Sequence, residues 1–346
     1  MSTTRRRLPV EVVIPVRWDG GEDLAHTARV AEMAQYLDRL AQWADVTVVD
    51  GSGEQRFLQH QREWAHAVRH CAPAQLPGVN GKVVGAMTGV HLSRHELIVL
   101  ADDDVRYDEQ SLSAVAQALV TADLVRPQNV FSSWPWHARW DAARTLLNRA
   151  LGSGDWPGTF GVRRTILRAT GGWDADVLFE NLELVRTVKA AGGRTAVASD
   201  VVVPRLPPDA AHFWSQRVRQ AYDDFAQPWR LVPSLAVVPA VVTCLVQRRG
   251  RALGSGLAVV MLLAEGGRRG ALADVVPRDV PLWAPLWVLE RGVCSWLAVA
   301  EWVRGGVRYH GVRVGTAAHS RREISRRLSR RPGVGTPDAL PSPNRA

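Results

Sequence analysis

The chain has 346 residues, 43 Lys and Arg against 34 Asp and Glu (a formal net charge of +9), and three cysteines. That length allows one catalytic domain with an appendage. Three widely separated cysteines exclude a disulfide framework or a cysteine metal cluster. The basic balance invites an anionic partner, but no recognised nucleic-acid-binding motif accompanies it, so nucleic acid is not expected as a partner.

In chain order, basic residues at positions 1–7 precede an apolar run that is short and carries Glu11, which argues against a signal peptide. Val10 to Val16 reads as a strand followed by the polar turn Arg17, Trp18, Asp19. Residues 23–43 carry apolar side chains at Leu24, Ala28, Ala31, Ala34, Leu37 and Leu40, the spacing of a helix face. A second strand, 45–49, runs into Asp50, Gly51 and Ser52; Gly81 and Lys82 then open a helix towards Leu92. Next comes a branched apolar run, 96–101, that stops in three consecutive acids, Asp102, Asp103 and Asp104.

Strands alternating with helices imply a parallel sheet with right-handed crossovers. Asp50 and the acidic triplet would then end two strands at one rim, where open α/β sheets bind ligands. Adjacent carboxylates repel unless a cation joins them. Hard oxygen donors suit Mg²⁺ or Mn²⁺, which in turn suit a diphosphate. Lys82 at a helix start favours phosphate nearby.

This set of motifs resembles the family-2 glycosyltransferases of GT-A fold. The residues that carry the likeness are Val13 to Val16, Val49 to Ser52, Gly81 to Gly85, Leu100 to Arg106, Trp156 to Phe160, Gly171 to Trp173, Phe179 to Leu184 and Gln216 to Arg219. They span about the first two thirds of the chain. The tail, with Ala284 to Arg291 and Gly305 to Tyr309, is similar to membrane-associated members resembling ceramide glucosyltransferases.

The resemblance implies roles. Pro15, Asp50, Lys82, Asp102, Asp103, Gln216, Arg217 and Arg219 would surround a nucleotide-sugar, with Asp50 at the base and ribose and the two arginines as diphosphate clamps. Asp104 and Asp102 would hold the metal, Asp104 the more directly. Asp103 reads equally as a solvent-facing or capping acid, and the arginines equally as a basic membrane-facing surface. The family's general base usually lies in a Glu-Asp pair, which here is Glu180 and Asn181. An amide cannot serve as that base, so Glu180 and Glu183 become the candidates. Three-residue spacing would put both on one helix face. The family's Gln-x-x-Arg-Trp ends here in Gln220, with Trp214 or Trp229 as possible substitutes for the ring. That departure disfavours a processive polymer synthase.

Trp134 and Trp136 would line an acceptor entrance or pack under the sheet. Asp155 to Thr159 reads as a loop opening a helix near Val162, at the acceptor pocket or as a plain cap. The histidines show no paired metal spacing.

The last third changes character. Residues 231–247 are almost uncharged but interrupted by Pro233 and Pro239, and residues 252–264 are shorter. Arg248, Arg249 and Arg251 between them disfavour two crossings, so surface-lying or re-entrant helices are expected. Residues 281–302 hold four tryptophans, with Glu290 and Arg291 expected at a membrane edge. A soluble all-α core is the competing reading. A basic stretch, 321–331, would meet anionic lipid, and 332–346 reads as disordered.

The expected organisation is a GT-A domain at 1–228 with a Rossmann-like, mostly parallel sheet, a helical membrane-associated region at 229–318 and a basic tail at 319–346. The expected activity is metal-dependent, inverting transfer of a sugar from a nucleotide-sugar to a hydroxyl of a lipid or hydrophobic acceptor. It would take place at the cytosolic face of the cytoplasmic membrane. A polyprenyl-phosphate acceptor and a catalytically silent nucleotide-binding membrane protein are the alternatives.

Overall fold

The computed structural model describes residues 7–19, 24–152, 154–309 and 312–330. The expectations for the first six residues and for the tail at 332–346 lie outside the described residues.

The elements are β1 Val10–Val16, α1 Leu24–Leu40, β2 Asp45–Asp50, α2 Glu54–Trp64, β3 Arg69–Cys71, α3 Gly81–Leu92 and β4 Leu97–Ala101. Then follow α4 Glu109–Ala118, β5 Leu124–Phe131, α5 Trp136–Ala150, β6 Thr159–Arg163, α6 Arg164–Thr170, α7 Glu180–Ala190, β7 Thr195–Arg205 and α8 Ala210–Tyr222. The last third holds α9 Pro228–Val246, α10 Gly250–Arg268, α11 Ala284–Val303, the short strands β8 Val307–Tyr309 and β9 Val312–Val314, and α12 Arg321–Ser329.

Seven strands form one sheet in the order β3-β2-β1-β4-β6-β5-β7. β1 runs parallel to β2 and β4, and β5 parallel to β7, while β6 is antiparallel to both neighbours. This mostly parallel, mixed α/β arrangement is consistent with the GT-A fold. Residues 159–163 are a strand, β6, with Phe160 and Val162 facing inward between β4 and β5, and the helix expected near Val162 starts just after it, at Arg164.

Alternation along β1 feeds two cores. Val10, Val12 and Ile14 meet Met33, Leu37 and Leu40 of α1 and Leu112 and Val115 of α4. Val13 faces the opposite layer, with Val90 of α3 and Leu184 and Val188 of α7. Burying such side chains from both faces contributes about 1.5–3 kcal/mol each, and it aligns the carboxyl ends of β1, β2 and β4 at one rim.

A third core seats the C-terminal helices. Leu146 and Leu147 of α5 pack with Ala264 of α10 and with Leu272, Val276 and Val280. The approach is close: a Cβ on Gly267 would fall 2.0 Å from the Leu146 carbonyl oxygen. Residues 231–246 form one helix despite Pro233 and Pro239. Among the described residues, α9 is the one helix long and apolar enough to cross a membrane, with a mean hydropathy of 1.8 and no part buried. Glu290 and Arg291 do not lie at an exposed edge. They point inward, Glu290 Oε2 3.5 Å from Arg217 and Arg291 3.7 Å from Asp224 Oδ2.

Candidate functional site

Beyond Ala101 the chain leaves β4 and Asp102 N donates to the Gly158 carbonyl at 2.7 Å. Any side chain at 158 would press on this acid, because a Cβ there would lie 2.6 Å from Asp102 Oδ2. Asn80 caps α3 by accepting from the backbone N–H of Lys82 and Val83, which sets Lys82 at the helix start. Its ammonium reaches 2.6 Å from Asp102 Oδ1 and 2.9 Å from Glu180 Oε1. Burial works against that ammonium, but the two carboxylates outweigh it and raise its pKa. Glu180 shows the converse: burial opposes ionisation, yet Lys82 and Arg219 hold its carboxyl below the usual range. Asp102 is pushed up, by burial first and by Asp104 as well, against Lys82.

Asp104 is held by the end of β7 and the residue after it. Leu206 N donates to its carbonyl, and Arg205 Nε donates to its Oδ2 at 2.7 Å. Among the described residues, its buried Oδ1 has no hydrogen-bond partner. Arg205 escaped the sequence reading. The signal was the alternating strand at 195–205, whose end meets the same rim. Asp103 turns aside to accept from Trp18 Nε1 and from Arg29 NH2 at 2.6 Å.

Lys82, Asp102, Asp103, Asp104, Glu180 and Arg205 line a cavity of about 670 Å³, together with Pro15, Gln216, Arg217 and Arg219. Such a volume suits a substrate-sized ligand. Arg217 is buried and bonded to Asp141 Oδ1 at 2.8 Å, with its guanidinium 4.3 Å over Phe213. Arg219 NH1 donates to Gln216 Oε1 at 3.1 Å. Trp229 lines the cavity, whereas Trp134, Trp136 and Trp214 do not. Trp136 instead packs with Phe213, Trp140 and Trp214. Asp155 is buried and fixes its loop to α5, accepting from Thr145 Oγ1 at 2.6 Å and Asn148 Nδ2 at 3.1 Å.

Two expected residues lie elsewhere. Asp50 is buried at the end of β2, accepting from the rings of His60 at 2.6 Å and His70 at 3.1 Å and from Ser52 N. Those bonds overcome the effect of burial and keep its carboxyl strongly acidic. Asp50, His60 and His70 bring three donor atoms together that could hold a metal ion, a grouping hidden by their sequence separation. Glu183 does not share the cavity with Glu180. It accepts from His319 N at 2.7 Å and contacts His319 Nδ1 at 3.0 Å, anchoring the segment before α12.

The family described as Glycosyltransferase like family 2 matches residues 46–222, just over half of the chain. The chain belongs to this family. In this glycosyltransferase the matched stretch runs from β2 through α8 and contains the acidic triplet, Lys82 and Glu180. No curated protein matches the sequence. Among solved structures, the chain is similar to the mannosyltransferase PcManGT from Pyrobaculum calidifontis in complex with GDP-Man and Mn²⁺. The two are 17% identical, over 88% of this chain and 78% of that one, with a TM-score of 0.45. It is also similar to glucosyl-3-phosphoglycerate synthase from Mycobacterium tuberculosis, in complex with Mn²⁺, UDP and glucosyl-3-phosphoglycerate. There the identity is 15%, over 61% of this chain and 77% of that one, with a TM-score of 0.41.

Proposed function

We propose that this glycosyltransferase moves one sugar from a nucleotide-sugar to a hydroxyl of a lipid or other hydrophobic acceptor, with inversion, at the cytosolic face of the cytoplasmic membrane. The observation that carries this reading is one cavity lined by both charged and apolar side chains. Asp102, Asp104 and Lys82 line it, and so do Val237 of α9, Val260 and Leu263 of α10 and Val288 of α11. A charged donor and an apolar acceptor would each find matching walls.

The residues present fit a divalent cation. Asp102 and Asp104 offer hard oxygen donors two residues apart, and Asp104 Oδ1 is a buried acceptor with no donor among the described residues. Mg²⁺ or Mn²⁺ held by them would neutralise charge gathering on a diphosphate. Lys82 adds positive charge at the same end and orients Glu180 and Asp102. Pro15, Gln216 and Arg219 line the same cavity.

The membrane part of the proposal is supported by exposed apolar side chains on the last helices. Leu245 is 61% and Val246 76% exposed on α9, with Leu262 on α10 and Trp296 and Leu297 on α11 also exposed. Faces of this kind favour a lipid surface. Arg248, Arg249 and Arg251 follow directly and would meet anionic headgroups.

The test is transfer itself. Full-length protein in bilayer nanodiscs, given Mn²⁺ and a panel of nucleotide-sugars, should put label from one donor onto a hydroxyl-bearing lipid. Donor turnover only with water-soluble acceptors would refute the lipid part, and metal-independent turnover would refute the role of Asp102 and Asp104.

A further inference from the structure

Transfer to a hydroxyl requires a group that takes the acceptor proton. Position 181, where the family resemblance implies an aspartate, is asparagine, and its side-chain amide donates to the Pro157 carbonyl at 3.2 Å. Glu180 is neutralised by Lys82 at 2.9 Å, which makes it a weak base. Glu183 is bonded to His319 outside this cavity.

The other cavity acids are also engaged. Asp102 pairs with Lys82, Asp103 with Arg29, Asp104 with Arg205, Asp141 with Arg217 and Asp224 with Arg291. Asp223 differs. It lies where α8 passes into the short 3-10 turn Asp223–Ala226, and it lines the same cavity as Lys82 and Asp102. Among the described residues, its Oδ1 is buried without a hydrogen-bond partner. An unpaired buried carboxylate oxygen is costly, and a function explains why it is kept.

We propose that Asp223 is the general base of this enzyme, standing in space for the acid missing at position 181. The assignment rests on the hydroxyl-acceptor reading above. The acceptor O–H proton passes to the Asp223 carboxylate while the hydroxyl oxygen bonds to the anomeric carbon. The bond from that carbon to the diphosphate oxygen breaks on the opposite face, and its electron pair leaves with the nucleoside diphosphate.

The electrostatics agree with this role. Burial pushes the Asp223 carboxyl up to about 8; Glu180 and Asp224 add to the rise, and Arg219 and Arg291 oppose it. Arg144 of α5 also faces it. A proton acceptor near the working pH is an efficient one.

The experiment compares wild type, Asp223→Asn, Asp223→Glu and Glu180→Gln, all full length in nanodiscs with Mn²⁺, the donor that turns over and a hydroxyl lipid. Asp223→Asn should lose about 10²–10⁴-fold in kcat. Its donor Kd should stay at the wild-type value, which also shows that it folds. Wild-type kcat/KM should climb with pH through an acid limb that Asp223→Asn lacks, and Asp223→Glu should regain part of the rate. Retention of kcat and of the acid limb in Asp223→Asn would overturn the assignment while leaving the hydroxyl-acceptor reading intact. Wild-type transfer to a lipid phosphate but to no hydroxyl would overturn both.

Discussion

Arg205 and Asp104 form an ion pair of 2.7 Å that joins the end of β7 to the acidic triplet beyond β4. The two residues are 101 positions apart in the chain. Arg205 therefore holds the charge of a proposed cation ligand when no cation is bound. Burial opposes its guanidinium, yet Asp104 and Asp102 raise its pKa further.

Arg205→Met should leave Asp102 and Asp104 facing each other without this counter-charge. Metal-free variant is expected to lose about 1–3 kcal/mol of stability, the pair being only partly exposed. Mn²⁺ should restore most of it, because the cation takes the place of the guanidinium. Thermal melts with and without Mn²⁺ check this. A variant as stable as wild type without metal would show that the pair is not what offsets the acids.

Glu183 and His319 provide a separation of structure from chemistry. Glu183 receives two hydrogen bonds from His319, and Arg327 joins the same group through Asp174 at 2.7 Å. Glu183→Ala should cost about 1–3 kcal/mol by leaving those donors unmatched, with donor affinity unchanged. Calorimetry alongside nucleotide-binding titration measures both. A selective loss of turnover at unchanged stability would instead return Glu183 to the chemistry.

Asp223 gives a stability prediction with a definite sign. Its folded pKa is raised to about 8 from an unfolded value near 4, so the folded state binds the proton more tightly. Stability from this group is complete below about pH 4 and is lost as pH rises towards about 8. The Asp223→Asn variant lacks that slope. Denaturant unfolding should show the stability difference moving in favour of the variant between about pH 5 and about pH 8. A constant difference would mean that Asp223 is not buried in its proton-binding form.

Leu245 and Val246 are exposed at the end of α9 and precede Arg248 and Arg249. Replacing both apolar residues by Asp should reduce co-sedimentation with anionic vesicles about tenfold or more, since charge at a lipid face is costly. Melting temperature should not fall, because neither side chain is part of a core. Unchanged vesicle binding would move the membrane contact away from α9.

Several features were legible in the sequence for local reasons. β1 and β4 announce themselves as branched apolar runs, and α3 opens at Gly81 and Lys82 as their position before an apolar helical stretch implies. The acids of β2 and β4 come to one rim because both strands run parallel to β1. β6 was not legible: five residues with two inward positions are too short to separate strand from helix, and only its neighbours β4 and β5 decide. The inward turn of Glu290 and Arg291 depends on partners from α8 and the following turn, which no periodicity on α11 reveals. Glu180 and Glu183 diverge because α7 is packed on more than one side, so neighbouring positions on its surface meet different elements.

The most direct test of the account is nucleotide release from a nucleotide-sugar panel, with and without Mn²⁺, by wild type and Asp104→Ala. Release from at least one donor that requires Mn²⁺ and falls about 10²-fold or more in Asp104→Ala is the predicted result. Equal release by the variant, or release that ignores the metal, would contradict a metal-dependent transferase built on Asp102 and Asp104.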